Sequence, residues 1–518
     1  MGLESCNRGL AAGLGLSPTG AAVRAGIRAL ALYAGMEAMS PTLIVLAVLT
    51  LYLAGSLWVG WRSWRQGAAT LDDYFVASRR ISPLVLFCTL AATNFSAFFF
   101  LGFAGASYRL GWPFYGLMAF GTSLVGLSIL LLGVPIYKLG KAKGYLTPPE
   151  LITGESGSQM LGWLYGAVLV IFTLPYLAVQ PYGAGLVLES LTDGGIDGFH
   201  GAVLLTGVML IYIWLGGMRS SVWTDLLQGG LMLGLMLTAV LVVMQGLGGF
   251  GAAGGDLAAA HPQKFMREGA VTWQVWLSYT LLWPMVVPMF PQLFSRFYIA
   301  ESDKALRTAA WLYPTIVPLL FLAPVLLGVS GNLDFPELAK AESDSIVPIL
   351  LLEHAPLWLA ALVMIGALAA FMSTADSQLL AMSSILTRDI AASITELKED
   401  EQYSLGRWLV VALAIVGLAL AYDPPDTIFN VVSQAFTGLA VLFPTTVALL
   451  WWRHTRSEAC IASILTGETL VAWTYLAAQG GGIPEWFTQG FHPSMPIIFL
   501  SAVILIVGSL LLGKDSET

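Results

Sequence analysis

Thirteen stretches of roughly 20 mostly apolar residues follow one another along this chain, each about the length a helix needs to cross the hydrocarbon core of a bilayer. They run approximately over 41–61, 82–107, 114–137, 159–190, 199–216, 221–247, 272–294, 306–329, 357–387, 406–421, 427–452, 459–479 and 494–513. No ten-residue alternation of apolar and polar positions separates them, which argues against a transmembrane barrel. With 57% hydrophobic and 11% charged residues, the chain has too little polar surface to fold as a soluble globule. The expected fold class is an all-α integral membrane protein with 13 transmembrane helices. The net charge of −8 is spread over the loops, so neither nucleic acid nor a polybasic lipid contact is indicated. Cys6, Cys88 and Cys460 are too few and too scattered for a disulfide framework or a metal site.

Lysine and arginine set the expected orientation. If the first span runs inward, the cytoplasmic loops collect Arg62, Arg65, Arg79, Arg80, Lys138, Lys141, Lys143, Arg219, Arg296, Arg388, Arg453 and Lys514, among others. The opposite side keeps few: Arg109, Lys264, Arg267 and Lys340, with Arg8, Arg24 and Arg28 in the N-terminal extension. The N-terminus is then outside and the C-terminus cytoplasmic, in a multi-pass protein of the inner (plasma) membrane. Residues 1–38 lack a clean signal-peptide core, and Met36 and Met39 stand just before the first span, so this extension reads as an over-long start or a dispensable leader.

Against this apolar background the ninth span carries "AAFMSTADSQLL", residues 369–380. Helical spacing puts Ala370, Ser373, Thr374 and Ser377 in one stripe, with Asp376 at its edge. A single hydroxyl could bond its own helix backbone, and small residues let helices approach. Several together with an acid at membrane depth point instead to a cavity, a partner or an ion. Oxygen ligands of this kind suit a small hard cation, and unwound backbone supplies further oxygens in transporters. Two spans offer such backbone: the second, with Thr93, Asn94 and Ser96 followed by Gly102 and Gly105, and the seventh, with Pro284, Pro288 and Pro291. Each opens a group of five spans, the arrangement expected at the binding site of an inverted-repeat transporter.

Taken jointly, "DDYFVASR", "LAATNFSA", "LTPPEL", "GGMRSSVWTDLLQ", "PQLFSRF" and "AAFMSTADSQLL" give the chain a resemblance to the sodium:solute symporter family, over about residues 70–512. The resemblance implies a leucine-transporter-like core of five plus five inverted helices. Residues 82–247 would form the first repeat and 272–452 the second, with 39–62 as the first helix and 459–513 as two peripheral helices. It identifies the coupling ion as sodium. The implied principal sodium site takes carbonyls of Ala92, Phe95 and Ala370 and hydroxyls of Ser373 and Thr374. Some members hold a second sodium ion with an acid at the position of Asp225 and hydroxyls matching Ser373 and Ser377. Asp376 stands where those members often carry a hydroxyl, so the implied site would either hold one ion with two carboxylates or have one Asp repelled into its protonated form. By itself, Asp225 could equally be an acid favoured by a helix N-terminus.

For the solute, Tyr176, Trp283 and Pro291 match pocket positions of the proline-transporting branch, although large aromatics also serve as packing at membrane depth. Ser96 lies at the interrupted second span. Asn94 stands where that branch has an acid and Gln292 where it has a histidine. The segments "YDPPDTIFNVVSQAF" and "GFHPSMPIIF" look more like pantothenate and monocarboxylate members. The expectation is a sodium-coupled importer of a small amino acid or carboxylate, with no enzyme activity and no obligate protein partner. The alternatives are a proton-coupled carrier of the same fold, since Asp225 and Asp376 could titrate, and a membrane sensor, against which the few residues after the last span count. His200, His261, His354, His454 and His492 fall in loops or at span ends, and no HExxH or GxSxG motif is present. Glu468, midway along the twelfth span, is expected to pack against a polar partner.

Overall fold

The computed structural model describes residues 40–66, 83–267 and 271–514; the N-terminal extension and the "DDYFVASR" motif lie outside the described residues. Every major element is helical. In chain order these are α1 (Pro41–Gln66), α2 (Pro83–Asn94), α3 (Phe103–Leu110), α4 (Pro113–Lys143), α5 (Gln159–Leu191), α6 (Gly198–Gly246) and α7 (Trp273–Val286). There follow α8 (Pro291–Ile299), α9 (Asp303–Ser330), α10 (Leu357–Ile394), α11 (Glu399–Ala421), α12 (Ile428–Trp451), α13 (Ser457–Gly480) and α14 (Ser494–Lys514). Among the described residues ten helices are long and apolar enough to cross a membrane; α2, α3, α7 and α8 are the short ones.

Those four are halves of two interrupted helices. Between α2 and α3 the helix opens at Phe95 and Ser96 and resumes through a π-turn, Phe98–Gly102. The side chain of Gln180, in α5, stabilises the opening: its Oε1 accepts from Ala97 N at 3.0 Å while its Nε2 donates to the Tyr176 carbonyl at 2.9 Å. Between α7 and α8, Pro284, Pro288 and Pro291 deny the turn its donors, leaving a short 3₁₀ segment, Val287–Met289, and an extended Phe290.

At 49 residues α6 would extend about 74 Å as a straight helix, far more than a bilayer requires. It folds back at Gly217, where φ is 52° and ψ −143°, a combination reserved for glycine. Neighbouring helices give the direction of each arm. Phe199 meets Tyr422 just past the end of α11, and Trp214 meets Trp408 near its beginning. On the second arm Ser221 reaches Asp376 deep in α10, Leu235 packs on Gly366 and Gly246 on His354, just ahead of α10. Since α10 and α11 are joined by a short turn and pack together, the two arms run in opposite directions.

The outer surface is apolar, as a lipid-facing surface must be: Leu51, Ile171, Leu319, Phe499 and Leu511 are all exposed. Tryptophans cluster with arginines at one face, Arg62 over Trp58, Arg65 over Trp61 and Arg407 over Trp214. This is the aromatic and basic belt of a membrane boundary. Glu468 departs from expectation: among the described residues neither of its buried carboxylate oxygens has a hydrogen-bond partner.

The opposite face is closed by the segment between α9 and α10. Asp344, buried, accepts from Ile428 N at 2.7 Å and so caps α12. Its other oxygen lies 3.8 Å from Arg109 of α3, which also donates to Ser343. Gly105 makes the approach feasible, since a Cβ there would stand 2.9 Å from the Ser343 carbonyl oxygen. Burial pushes the Asp344 carboxyl up to about 6, opposed by the Ile428 N–H and by Arg109, with Asp426 raising and Lys340 lowering it further. A folded-state value above the ordinary one means that the group's contribution to stability is full below about pH 4 and is lost as pH rises through about 6. The size is on the order of 2–3 kcal/mol. Melting temperatures of the wild type and Asp344→Asn, compared between about pH 4.5 and 7, should therefore diverge toward acid in favour of the wild type. A difference that stays constant with pH would remove Asp344 as the titrating group.

Candidate functional site

The ninth-span stripe faces the opened helix between α2 and α3. The Thr374 hydroxyl lies 3.2 Å from the Thr93 carbonyl and 3.2 Å from the Phe95 carbonyl. Both carbonyls lack their helical donors because the chain leaves the helix at Phe95. Three neutral oxygens thus converge where α10 crosses the break. Ala370 is buried one turn before Thr374, and Ala92 lies in the last turn of α2. Thr93, one of the polar residues marking the interrupted second span, joins the set through its carbonyl.

Ser373 points elsewhere. Its hydroxyl donates to Asp225 Oδ1 on the second arm of α6. Asp225 also receives Thr89 Oγ1 at 2.6 Å and Arg296 Nη2 at 3.0 Å. The same Nη2 lies 2.6 Å from Ser377 Oγ and 3.2 Å from Thr93 Oγ1, while Nη1 rests 2.7 Å from Met218 Sδ beside the Gly217 fold. Arg296, placed by sequence among the cytoplasmic loop charges, is instead fully buried within α8, as is Asp225 within α6. The break at Phe290 accounts for this, because it ends α7 early and turns α8 inward.

Asp376 sits next to this pair. It accepts from Tyr212 Oη at 3.1 Å, Ser221 Oγ at 3.0 Å and Ser377 Oγ at 3.1 Å. Ser377 thus receives a hydrogen bond from Arg296 and passes one to Asp376. Behind it, Gln228 Nε2 donates to Tyr52 Oη at 3.0 Å. Tyr52, Thr89, Tyr212, Ser221, Gln228 and Arg296 all belong to one buried polar layer that the sequence did not assemble, since their contacts cross five helices, α1, α2, α6, α8 and α10.

The expected solute residues divide into groups. Tyr176 Oη donates to Ser96 Oγ at 3.1 Å, and its ring packs 5.6 Å from Phe290 and 5.2 Å from Phe436. The Trp283 ring lies 6.0 Å from Phe98 and 5.6 Å from Phe436, and its buried Nε1 has no protein acceptor among the described residues. These side chains form one aromatic wall across both interrupted helices and α12. Asn94 is drawn aside by Tyr313 of α9, to whose oxygen its Nδ2 donates at 2.7 Å. Pro291 is the first residue of α8, where a missing N–H does no harm. Gln292 follows it, fully buried, with neither amide atom bonded to a protein partner among the described residues.

The chain as a whole is similar to known proteins. A family model described as the sodium:solute symporter family matches residues 74–467. The sodium/pantothenate symporter of Escherichia coli (strain K12) is 28% identical over 454 residues, covering 86% of this chain and 91% of that protein. The sodium/proline symporter of Staphylococcus aureus (strain JH9) is 26% identical over 496 residues, covering 92% and 94%. Among solved structures, a Na⁺-coupled sialic acid symporter in a substrate-bound, outward-open state superposes with a TM-score of 0.74 at 20% identity, covering 90% of this chain and 98% of that one. The nucleobase-cation-symport-1 transporter Mhp1 superposes with a TM-score of 0.58 at 12% identity, covering 86% and 95%.

Proposed function

The chain belongs to the sodium:solute symporter family, and from that premise we propose that it imports a small organic solute, an amino acid or a carboxylate, coupled to sodium by alternating access. Its relatives are transporters and not enzymes. The observation that carries the proposal is the Thr374 hydroxyl set across the break in the second helix, with two freed carbonyls at 3.2 Å. Those oxygens suit a hard monovalent ion, for which Ala92, Phe95, Ala370, Ser373 and Thr374 form the expected principal set and Thr93 adds a carbonyl. Asp225, Asp376 and Ser377 form the second cation cluster.

Ten long helices, two interrupted ones and the fold-back at Gly217 together support thirteen crossings, with 82–247 and 272–452 as inverted repeats. The tryptophan and arginine belt at the ends of α1 and the first arm of α6 supports a cytoplasmic assignment for that face, hence an external N-terminus and an inner-membrane location. Replacing sodium with choline at fixed pH in uptake assays of radiolabelled proline, pantothenate and short monocarboxylates tests the reading. Uptake that follows pH and ignores sodium would move the coupling to protons.

The aromatic wall carries a second expectation. Trp283 contributes a large apolar face and an unpaired N–H, suited to the body and the carboxylate of such a solute. Trp283→Ala should raise the half-saturation for solute by roughly tenfold or more, as expected for loss of a buried aromatic contact worth about 1.5–3 kcal/mol. The half-saturation for sodium should move much less. Equal shifts in both would make Trp283 a packing residue.

A further inference from the structure

One nitrogen of Arg296 stands at the meeting point of three oxygens from three helices: Thr93 Oγ1, Asp225 Oδ2 and Ser377 Oγ, all within 3.2 Å. An oxygen cage of this composition, one carboxylate and two hydroxyls, is what a second sodium ion would need, and an ion and a guanidinium nitrogen cannot share its centre. The side chain is fully buried and enters from α8, so the cation is covalently attached to one of the half-helices.

Charge supports the same conclusion. The bonded cluster contains the carboxyl groups of Asp225 and Asp376 and one guanidinium, a formal −1 when both acids are ionised. The oxygens at the helix break are neutral, and Thr93 belongs to both groups through its carbonyl and its hydroxyl. A single sodium ion beside Thr374 would be balanced by this −1 without a carboxylate of its own. Removing the guanidinium would leave −2 in a buried site, which a further cation would relieve.

We propose that Arg296 is a tethered counter-cation that takes the place of a second sodium ion, so the protein binds one mobile sodium and acquires a second ion site when the guanidinium is removed. This rests on the sodium-coupled reading above. The test is the number of ²²Na⁺ ions bound per purified full-length protein at saturation, independent of transport. The wild type should bind one, Arg296→Gln two, and the charge-restored double variant Asp225→Asn/Arg296→Gln one again. Arg296→Lys, which keeps the charge, should stay at one. If Arg296→Gln can be purified in sodium and is lost in choline, the acquired ion is being read through stability, and the proposal stands. Two ions in the wild type, one in a folded Arg296→Gln, or two in the double variant would each overturn it. No sodium bound by the wild type would fail the sodium-coupled reading itself, a result distinct from all of these.

Discussion

Thr374→Ala should sharply reduce sodium-driven uptake at ordinary sodium concentrations while leaving the protein in the membrane. The side chain is buried and bridges α10 to both carbonyls of the opened helix. Its loss would remove a ligand of the proposed ion site and leave two carbonyl oxygens facing a methyl group. A buried polar group deprived of its partner costs about 1–3 kcal/mol, and an ion deprived of one ligand loses at least a comparable amount, so sodium affinity should fall by roughly 10- to 100-fold. Thr374→Ser keeps the oxygen and should retain most of the activity. Uptake measured against sodium concentration separates the cases, and an unchanged sodium curve in Thr374→Ala would remove this residue from the ion site.

The second large effect is expected at Asp225. Asp225→Asn keeps the shape of the side chain and removes the charge that holds Arg296. Breaking one side of a buried pair typically destabilises by about 3–5 kcal/mol, because the surviving charge cannot reach water. Membrane yield and melting temperature should both drop sharply. Adding Arg296→Gln removes the stranded charge, and the double variant should recover most of the loss. If Asp225→Asn behaves like the wild type, the pair is not a structural one and Arg296 has another partner in the membrane.

Much of this was readable before any coordinates. The polar stripe of residues 369–380 stood out because hydroxyls and an acid are rare in an otherwise apolar helix, and the prolines at 284, 288 and 291 announced the break between α7 and α8. Carbonyl contacts are harder to place, because a backbone oxygen looks the same at every residue: the expected Phe95 carbonyl does meet Thr374, and the other carbonyl that meets it belongs to Thr93, next to the expected Ala92. Arg296 was misread for a physical reason. An arginine at the end of an apolar stretch is ordinarily a loop charge, and only the inward turn of α8 at Phe290 reveals that it ends inside. Gln180 left no signal at all, since an amide in a long apolar helix has many ordinary uses.

The attachment of Arg296 to α8 also limits how steeply this protein could concentrate its cargo. A positive charge fixed to the chain goes back with the chain, so over a full cycle it delivers nothing across the membrane and draws nothing from the voltage or the ion gradient. On the proposed one-ion coupling, the work would come from a single sodium ion: about 2.3 kcal/mol from 100 mV and about 1.4 kcal/mol from a tenfold gradient. Their sum, about 3.7 kcal/mol, supports several-hundredfold accumulation of a neutral or zwitterionic solute. A monoanion cancels the electrical part and leaves about tenfold. One buried side chain would thereby decide whether this carrier can scavenge an anion from dilute surroundings or only a molecule with no net charge.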